Sequence, residues 1–238
     1  MISVEIIPIL QDNYCYLLNQ GDDVIVIDPG HADPVITALQ RRSLTVNKIL
    51  LTHHHADHIA GASHIKKLYG SKIYAPEKEK KIIENIDVPL KEGDVLSIGS
   101  EPCHVMETPG HTAGHIVYHC PDSKLLFSGD TLFSLGCGRL FEGTAGQMHE
   151  SLNKIKNLPD ETLVYCGHEY TRDNAAFLLS LNPENHALKM KMHDIEKKRS
   201  NKQPTIPVAL GEEKSLNAFL QCETAEAFAT LRRLKDQH

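Results

Sequence analysis

Apolar residues in the first 170 positions fall into short blocks closed by a turn or a polar side chain; beyond them the pattern turns helical. Residues 3–9 and 14–19 read as strands joined by the turn Gln11-Asp12-Asn13. Val24-Ile25-Val26-Ile27 reads as a buried strand ending in the turn Asp28-Pro29-Gly30. Asp33-Pro34 then opens a helix, the aspartate as N-cap and the proline in the first position. Ile49-Leu50-Leu51 is a further strand, residues 58–69 read as a helix stopped by Gly70, and a short strand lies near Lys72–Tyr74. The lysine-rich segment 77–84 is expected to be a solvated face.

Val95–Ile98 and Cys103–Glu107 read as paired strands, the second running into the glycine-punctuated loop Thr108–His115. His115–Cys120 and Leu125–Ser128 follow as strands, and residues 147–158 as an amphipathic helix. Leu163–Cys166 is the last strand expected. After it only helices are predicted: one from Thr171 to Leu181, one over 185–200, and one capped by Thr224 from Ala225 to about Lys235. Gln203–Pro207 is read as a linker. The division is therefore an α/β domain over 1–170 and a small helical domain over 171–238.

Four of the strand blocks end in a polar candidate. Leu50-Leu51 runs into Thr52-His53-His54-His55-Ala56-Asp57-His58, the 103–107 strand leads to His111, Leu125–Ser128 to Asp130, and Leu163–Cys166 to His168. Functional groups of α/β proteins gather where loops leave the carboxyl ends of strands. Four separate segments delivering His, His, Asp and His to one edge point to a metal site. In an extended segment His53 and His55 face the same way, while the adjacent Asp57 and His58 diverge, which suits two ions better than one. His54 is out of phase and is not expected to be a ligand.

Composition narrows the chemistry. The 238 residues suffice for one large domain with an appendage, and 41% hydrophobic with 24% charged residues is ordinary for a globule in water. A net charge of −6 argues against a nucleic-acid or membrane-surface partner. No signal peptide is recognised, so the chain is expected in the cytoplasm. There the six cysteines (15, 103, 120, 137, 166 and 222), none in a C-x-x-C pair, serve as small apolar side chains.

Imidazole and carboxylate donors without thiolate suit zinc, iron or manganese. Three imidazoles for one ion, two with Asp57 for the other, and Asp130 bridging use every ligand once: His53, His55, His111, Asp57, His58, His168 and Asp130. Two ions ~3.5–4 Å apart share a hydroxide that is already a nucleophile near neutral pH. No G-x-S-x-G elbow or phosphate-binding loop competes with this reading. His115 is expected to support the site, bonding a backbone carbonyl. Asp28 either orients a ligand imidazole or forms an Asx-turn before Pro29.

The H-x-H-x-D-H signature, with Thr-Pro-Gly-His111, Ser-Gly-Asp130 and Cys-Gly-His168, resembles the metallo-β-lactamase superfamily. Phe127–Phe133, Gly136–Thr144, Cys166–Thr171, Asp12-Asn13-Tyr14 and the ending Arg232–Gln237 are similar to its glyoxalase II (hydroxyacylglutathione hydrolase) family, along essentially the whole chain. The resemblance implies an αββα four-layer sandwich with a C-terminal helical domain and a binuclear centre, most often of zinc. It implies glutathione contacts at Arg139, Phe141, Tyr170, Arg232 and Lys235, with Phe141 standing where some members have tyrosine. Asp57 and Asp130 are then catalytic, and S-D-lactoylglutathione is cleaved to D-lactate and glutathione, the second step of methylglyoxal detoxification. A monomer acting on this small thioester is expected. The competing expectations are a mononuclear iron persulfide dioxygenase or another thioesterase of the fold, a β-lactam hydrolase, and a metal-binding protein without activity.

Overall fold

Alternation at a period of two builds the centre of this molecule. In the computed structural model, which describes residues 1–238, the chain begins with β1 (Ser3–Ile9), β2 (Asn13–Gln20), β3 (Asp23–Ile27), α1 (Ala32–Arg41) and β4 (Lys48–Leu50). It continues through α2 (Ala56–Ile59), α3 (Ala62–Tyr69), β5 (Lys72–Pro76) and β6 (Val88–Leu90), with a 3-10 turn at Glu77–Glu79. Next come β7 (Val95–Ile98), β8 (Glu101–Glu107), β9 (Ile116–Cys120), β10 (Leu125–Gly129), β11 (Leu132–Phe133) and β12 (Gly136–Cys137). The last elements are α4 (Ala145–Lys156), β13 (Leu163–Cys166), α5 (Thr171–Leu181), α6 (His186–Ser200), β14 (Val208–Ala209), α7 (Leu210–Leu216) and α8 (Ala225–Asp236).

Two six-stranded sheets result, ordered β1-β2-β3-β4-β5-β6 and β14-β13-β10-β9-β8-β7. Inward residues of both, such as Tyr16, Leu18, Ile25 and Ile27 against Val105, Tyr118 and Phe127, form one apolar cluster between the sheets. The alternate residues of the first sheet, Cys15, Leu17, Val24 and Val26, pack instead under Val35 and Leu39 of α1 and Ile65 of α3. Val117, Leu126 and Val164 of the second sheet pack under α4, α5, α6 and α8 through residues such as Leu152, Phe177, Leu188 and Phe228. The layers are helix, sheet, sheet, helix, as the resemblance implies. Each fully buried Leu or Phe contributes about 1.5–3 kcal/mol, so the sandwich is held mainly by this apolar burial.

Strand direction places the polar ends. β3, β4, β5 and β6 are mutually parallel, and Ile27 lies beside Leu50, so Asp28 and Thr52 leave the first sheet together. β10 and β13 are parallel with Gly129 beside Cys166, which sets Asp130 next to His168. β8 and β10 both pair antiparallel with β9, so the loop after β8 emerges at that edge too. No helix is long and apolar enough to cross a membrane.

Several local expectations are corrected. α1 starts at Ala32 after an unbonded His31, one turn position ahead of Asp33, because the first N–H groups of a helix lack partners and Pro34 costs none there. The single helix expected over 58–69 is two, α2 and α3: the Gly61 amide bonds Pro29 O at 2.8 Å, and a side chain at Gly61 would strike that oxygen. In the lysine-rich segment Glu79 and Ile83 are buried. α4 begins earlier than expected, at a Thr144–Gln147 capping box. The region after His168 is not helical only, since β14 extends the second sheet through Leu163↔Ala209 and Val164↔Val208. All six cysteines are free thiols, five of them buried.

Candidate metal centre

β4 and the buried Leu51 carry the chain to His53, and α2 holds Asp57 and His58 in a single turn. Close approach is allowed by Gly30, where a Cβ would lie 1.7 Å from Asp57 O. His53 Nε2 lies 3.0 Å from His55 Nδ1, which lies 2.9 Å from His111 Nε2. His58 Nε2 and His168 Nε2 are 3.3 Å apart, with Asp57 Oδ2 at 3.6 and 3.4 Å from them. Asp130 spans both sets: Oδ2 is 3.4 Å from His111 Nε2 and 3.2 Å from His168 Nε2, and Oδ1 is 3.3 Å from His58 Nε2. All seven candidate ligands thus meet in one place, as two triads that satisfy metal-ligand proximity and one shared acid.

The far ring nitrogens fix which nitrogen faces inward. His58 Nδ1 is 2.9 Å from Asp28 Oδ2, His111 Nδ1 2.9 Å from Arg139 O, and His168 Nδ1 3.0 Å from Asp12 Oδ1. His53 Nδ1 is 3.0 Å from Thr52 Oγ1, whose hydroxyl donates to Asp28 Oδ2 at 2.7 Å. Asp28 also accepts the Thr52 amide at 2.8 Å, so of its two sequence readings the structure shows the imidazole-orienting one. One buried carboxylate therefore sets imidazoles in both triads. His115 is fully buried, but its Nε2 accepts from the Asp130 amide at 3.1 Å rather than bonding a carbonyl. Asn13 donates to Asp57 Oδ2 at 2.7 Å. Asp12 and Asn13 were read as a turn and as part of the family resemblance, without a role at the site; the backbone bonds Tyr14 N to Gly167 O and Glu169 N to Asp12 O, both 2.8 Å, bring them here.

Burial and charge pull these groups in opposite directions. Burial, then the nearby His58 and His115, push His53 well below the ordinary imidazole value. Burial acts the same way on His168, yet Asp130 and Asp57 raise it to about 10, and Asp130 with Asp28 raises His58 well above its usual range. Burial alone would raise Asp130 and Asp57, but the His58 and His168 charges and bonds, with Asn13 on Asp57, hold both carboxyls low. Asp130 Oδ1 is buried with no hydrogen-bond partner. A buried acceptor left unpaired is costly, and a cation answers it. The donor set, nitrogen and oxygen without sulfur, fits divalent metal ions.

The centre opens into a cavity of about 910 Å³. Arg139, Phe141, Tyr170, Arg232 and Lys235 all line it, together with Asp173, Asn174 and His238, which the sequence did not single out. The Tyr170 ring stacks on His168, with centroids 4.6 Å apart and 6° between planes. Arg232 is buried, giving Nη1 to Cys137 O at 2.9 Å and Nη2 to Asp236 at 2.9 Å. Lys235 donates to Asp173 O at 2.9 Å beside the Phe177 ring. Arg139 and Phe141 are exposed at the mouth.

The sequence pattern of the metallo-β-lactamase superfamily matches residues 10–168, and that of the hydroxyacylglutathione hydrolase C-terminus matches 169–238. A hydroxyacylglutathione hydrolase of Rhodopseudomonas palustris (strain BisB5) is 44% identical over 231 residues, 96% of this chain and 91% of the relative. Another, of Bdellovibrio bacteriovorus, is 43% identical over 98% of this chain and 97% of its own. Among solved structures, ETHE1 from Myxococcus xanthus is similar with a TM-score of 0.74 at 25% identity, over 97% of this chain and 90% of that one. A protein crystallised in a di-iron-bound form has a TM-score of 0.58 at 28% identity, over 70% and 91% of the two chains.

Proposed function

Since the chain belongs to the metallo-β-lactamase superfamily and carries the hydroxyacylglutathione hydrolase C-terminus, we propose that it hydrolyses S-D-lactoylglutathione to D-lactate and glutathione. The observation that carries this reading is that a double donor set, joined by Asp130, shares one opening with a cation-rimmed cavity. His53, His55 and His111 would hold one divalent ion and Asp57, His58 and His168 a second, zinc being the ion we favour, with Asp130 common to both. When bound, such a pair would supply an activated water and a Lewis acid for the thioester carbonyl.

The protein's own groups do the rest. Asp28, Asp12, Thr52 and the Arg139 carbonyl keep the inward nitrogens aimed, so little reorganisation is needed at the moment of reaction. Asn13 donates to the Asp57 oxygen that faces His58 and His168 and holds that carboxylate in place. The leaving thiol ionises near ~8.5, so it departs as thiolate without a strong general acid. Glutathione has two carboxylates, and Lys235 and Arg139 are the cations we assign to them. Arg232, already engaged with Cys137 O and Asp236, we assign to holding α8 against β12 at the cavity wall. Phe141, edge-on to His55 and His111 at 5.4 and 5.2 Å, gives an apolar wall beside the reacting carbon.

A mononuclear dioxygenase needs two imidazoles and one acid with open positions, whereas here the second triad is complete. The test is thiol release by the metal-loaded protein from S-D-lactoylglutathione, run beside a β-lactam and a glutathione persulfide. Fast release from the thioester with little turnover of the other two is expected; preference for either of those overturns the assignment.

A further inference from the structure

We propose that His54, Glu79 and Glu142 form a third divalent-cation site, outside the centre that His53, His58 and Asp130 share. Three segments bring these groups together: the histidine loop, the 3-10 turn Glu77–Glu79, and the loop between β12 and α4. One donor atom from each lies within 4.8 Å of the others. His54 Nδ1 faces Glu79 Oε2 at 3.1 Å, and His54 Nε2 faces Glu142 Oε1 at 3.3 Å.

The independent sign of a ligand is at Glu79. Its side chain is 3% exposed. One oxygen takes the Thr112 hydroxyl, while Oε2 is buried without any hydrogen-bond partner, as is His54 Nδ1. The two atoms face each other at 3.1 Å, and neither has any hydrogen-bond partner. Among the seven candidate ligands of the main centre, the only buried atom left in that state is Asp130 Oδ1. Two ligands of one ion, each ~2.0–2.2 Å from it, stand about 3 Å apart with neither lone pair aimed at the other. A separation of 3.1 Å that fails as a hydrogen bond has that form, and it falls among the 2.9–3.6 Å edges of the main centre. Gly114 leaves the room that Glu79 occupies, since a Cβ there would lie 2.5 Å from Glu79 Cγ.

Two carboxylates and a neutral imidazole give a charge of −2, matched to a divalent ion that accepts oxygen and nitrogen, such as Mn2+ or Zn2+. Glu142 is 36% exposed, so water completes the coordination on its side. Glu142 also accepts the Ala113 amide at 2.8 Å, which holds it in reach. An ion here fastens the loop that carries Arg139 and Phe141 to the loop that carries His53 and His55. The competing arrangement is an imidazolium donating from both nitrogens to the two glutamates, with no ion.

The experiment is reloading of chelator-treated protein with Mn2+ by equilibrium dialysis, followed by elemental counting per chain. The wild type is expected to bind one ion more than Glu79→Gln and one more than Glu142→Gln. Asp130→Ala, altered in the main centre, is expected to lose a further ion when combined with Glu142→Gln. Equal counts in the wild type and both glutamate variants overturn the proposal and leave the imidazolium bridge. Should Glu79→Gln not fold, the count for Glu142→Gln, at a partly exposed side chain, decides alone.

Discussion

The rim we assign to the metal ions and the rim we assign to the substrate, both in one cavity, are built in opposite ways. At the metal rim His53, His58, His111, Asp130 and His168 are all at most 5% exposed, and four of the imidazoles have their second nitrogen engaged. At the substrate rim Arg139 and Phe141 stand in water on a loop, and Lys235 projects from the last helix. The first region is fixed by sheet edges before any ligand arrives. The second is free to be reshaped without disturbing the first, which is how one fold serves thioesters, β-lactams and other substrates.

The sharpest break in that comparison is expected at Asp130. Asp130→Ala removes the carboxylate whose oxygens lie within 3.4 Å of His58, His111 and His168 and should lower kcat on S-D-lactoylglutathione by about 10³-fold or more, since several kcal/mol of barrier are at stake. Steady-state kinetics with ion counts on the same samples measure it. Next comes Asp28→Asn, which touches neither substrate nor ion but releases imidazoles of both triads. A fall of ~10–100-fold in metal affinity is expected, read by competition with a chelator. At the substrate rim, Lys235→Ala should raise KM roughly tenfold with kcat nearly kept, because it removes binding shared by ground and transition states. A kcat loss there instead would join the two rims into one unit.

The smallest effect on turnover is expected at Glu213, which accepts from Ser134 Oγ at 3.0 Å, Leu135 N at 2.7 Å and Asn217 Nδ2 at 3.0 Å behind β11. Burial pushes its carboxyl from 4.5 up to about 7 against those bonds. The folded state then keeps a proton that the unfolded chain gives up. Its contribution to stability is complete below 4.5 and is lost as pH rises through about 7. The melting temperature of wild type minus Glu213→Gln should therefore decline between about pH 5 and 8, with kcat unchanged. A flat difference would remove the raised carboxyl from the account.

The two rims also differ in how far the sequence discloses them. His53, His55, Asp57, His58, His111, Asp130 and His168 were legible because each follows an apolar strand, and strand ends share an edge by topology alone. Asp28 was ambiguous, since its role depends on a parallel register that puts it beside Thr52, 24 residues away. The roles of Asp12 and Asn13 were not legible, because an isolated bridge to His168, 155 residues away, brings them to the site. β14, two residues long, offers no period to detect. Glu79 was hidden in a lysine-rich run that resembles any solvated surface. On the substrate rim, the sequence placed Arg232 and Lys235 on one helix face, but only packing shows that Arg232 spends its charge on Cys137 O and Asp236. Local pattern reports which residues are available, and tertiary contact decides what each is free to do.

Anomalous diffraction from crystals of the zinc-loaded protein tests the paired centre most directly. Two peaks are predicted on either side of Asp130, one within bonding distance of His53, His55 and His111 and the other of Asp57, His58 and His168. A single peak, or zinc bound elsewhere while these seven side chains stay bare, would contradict the account.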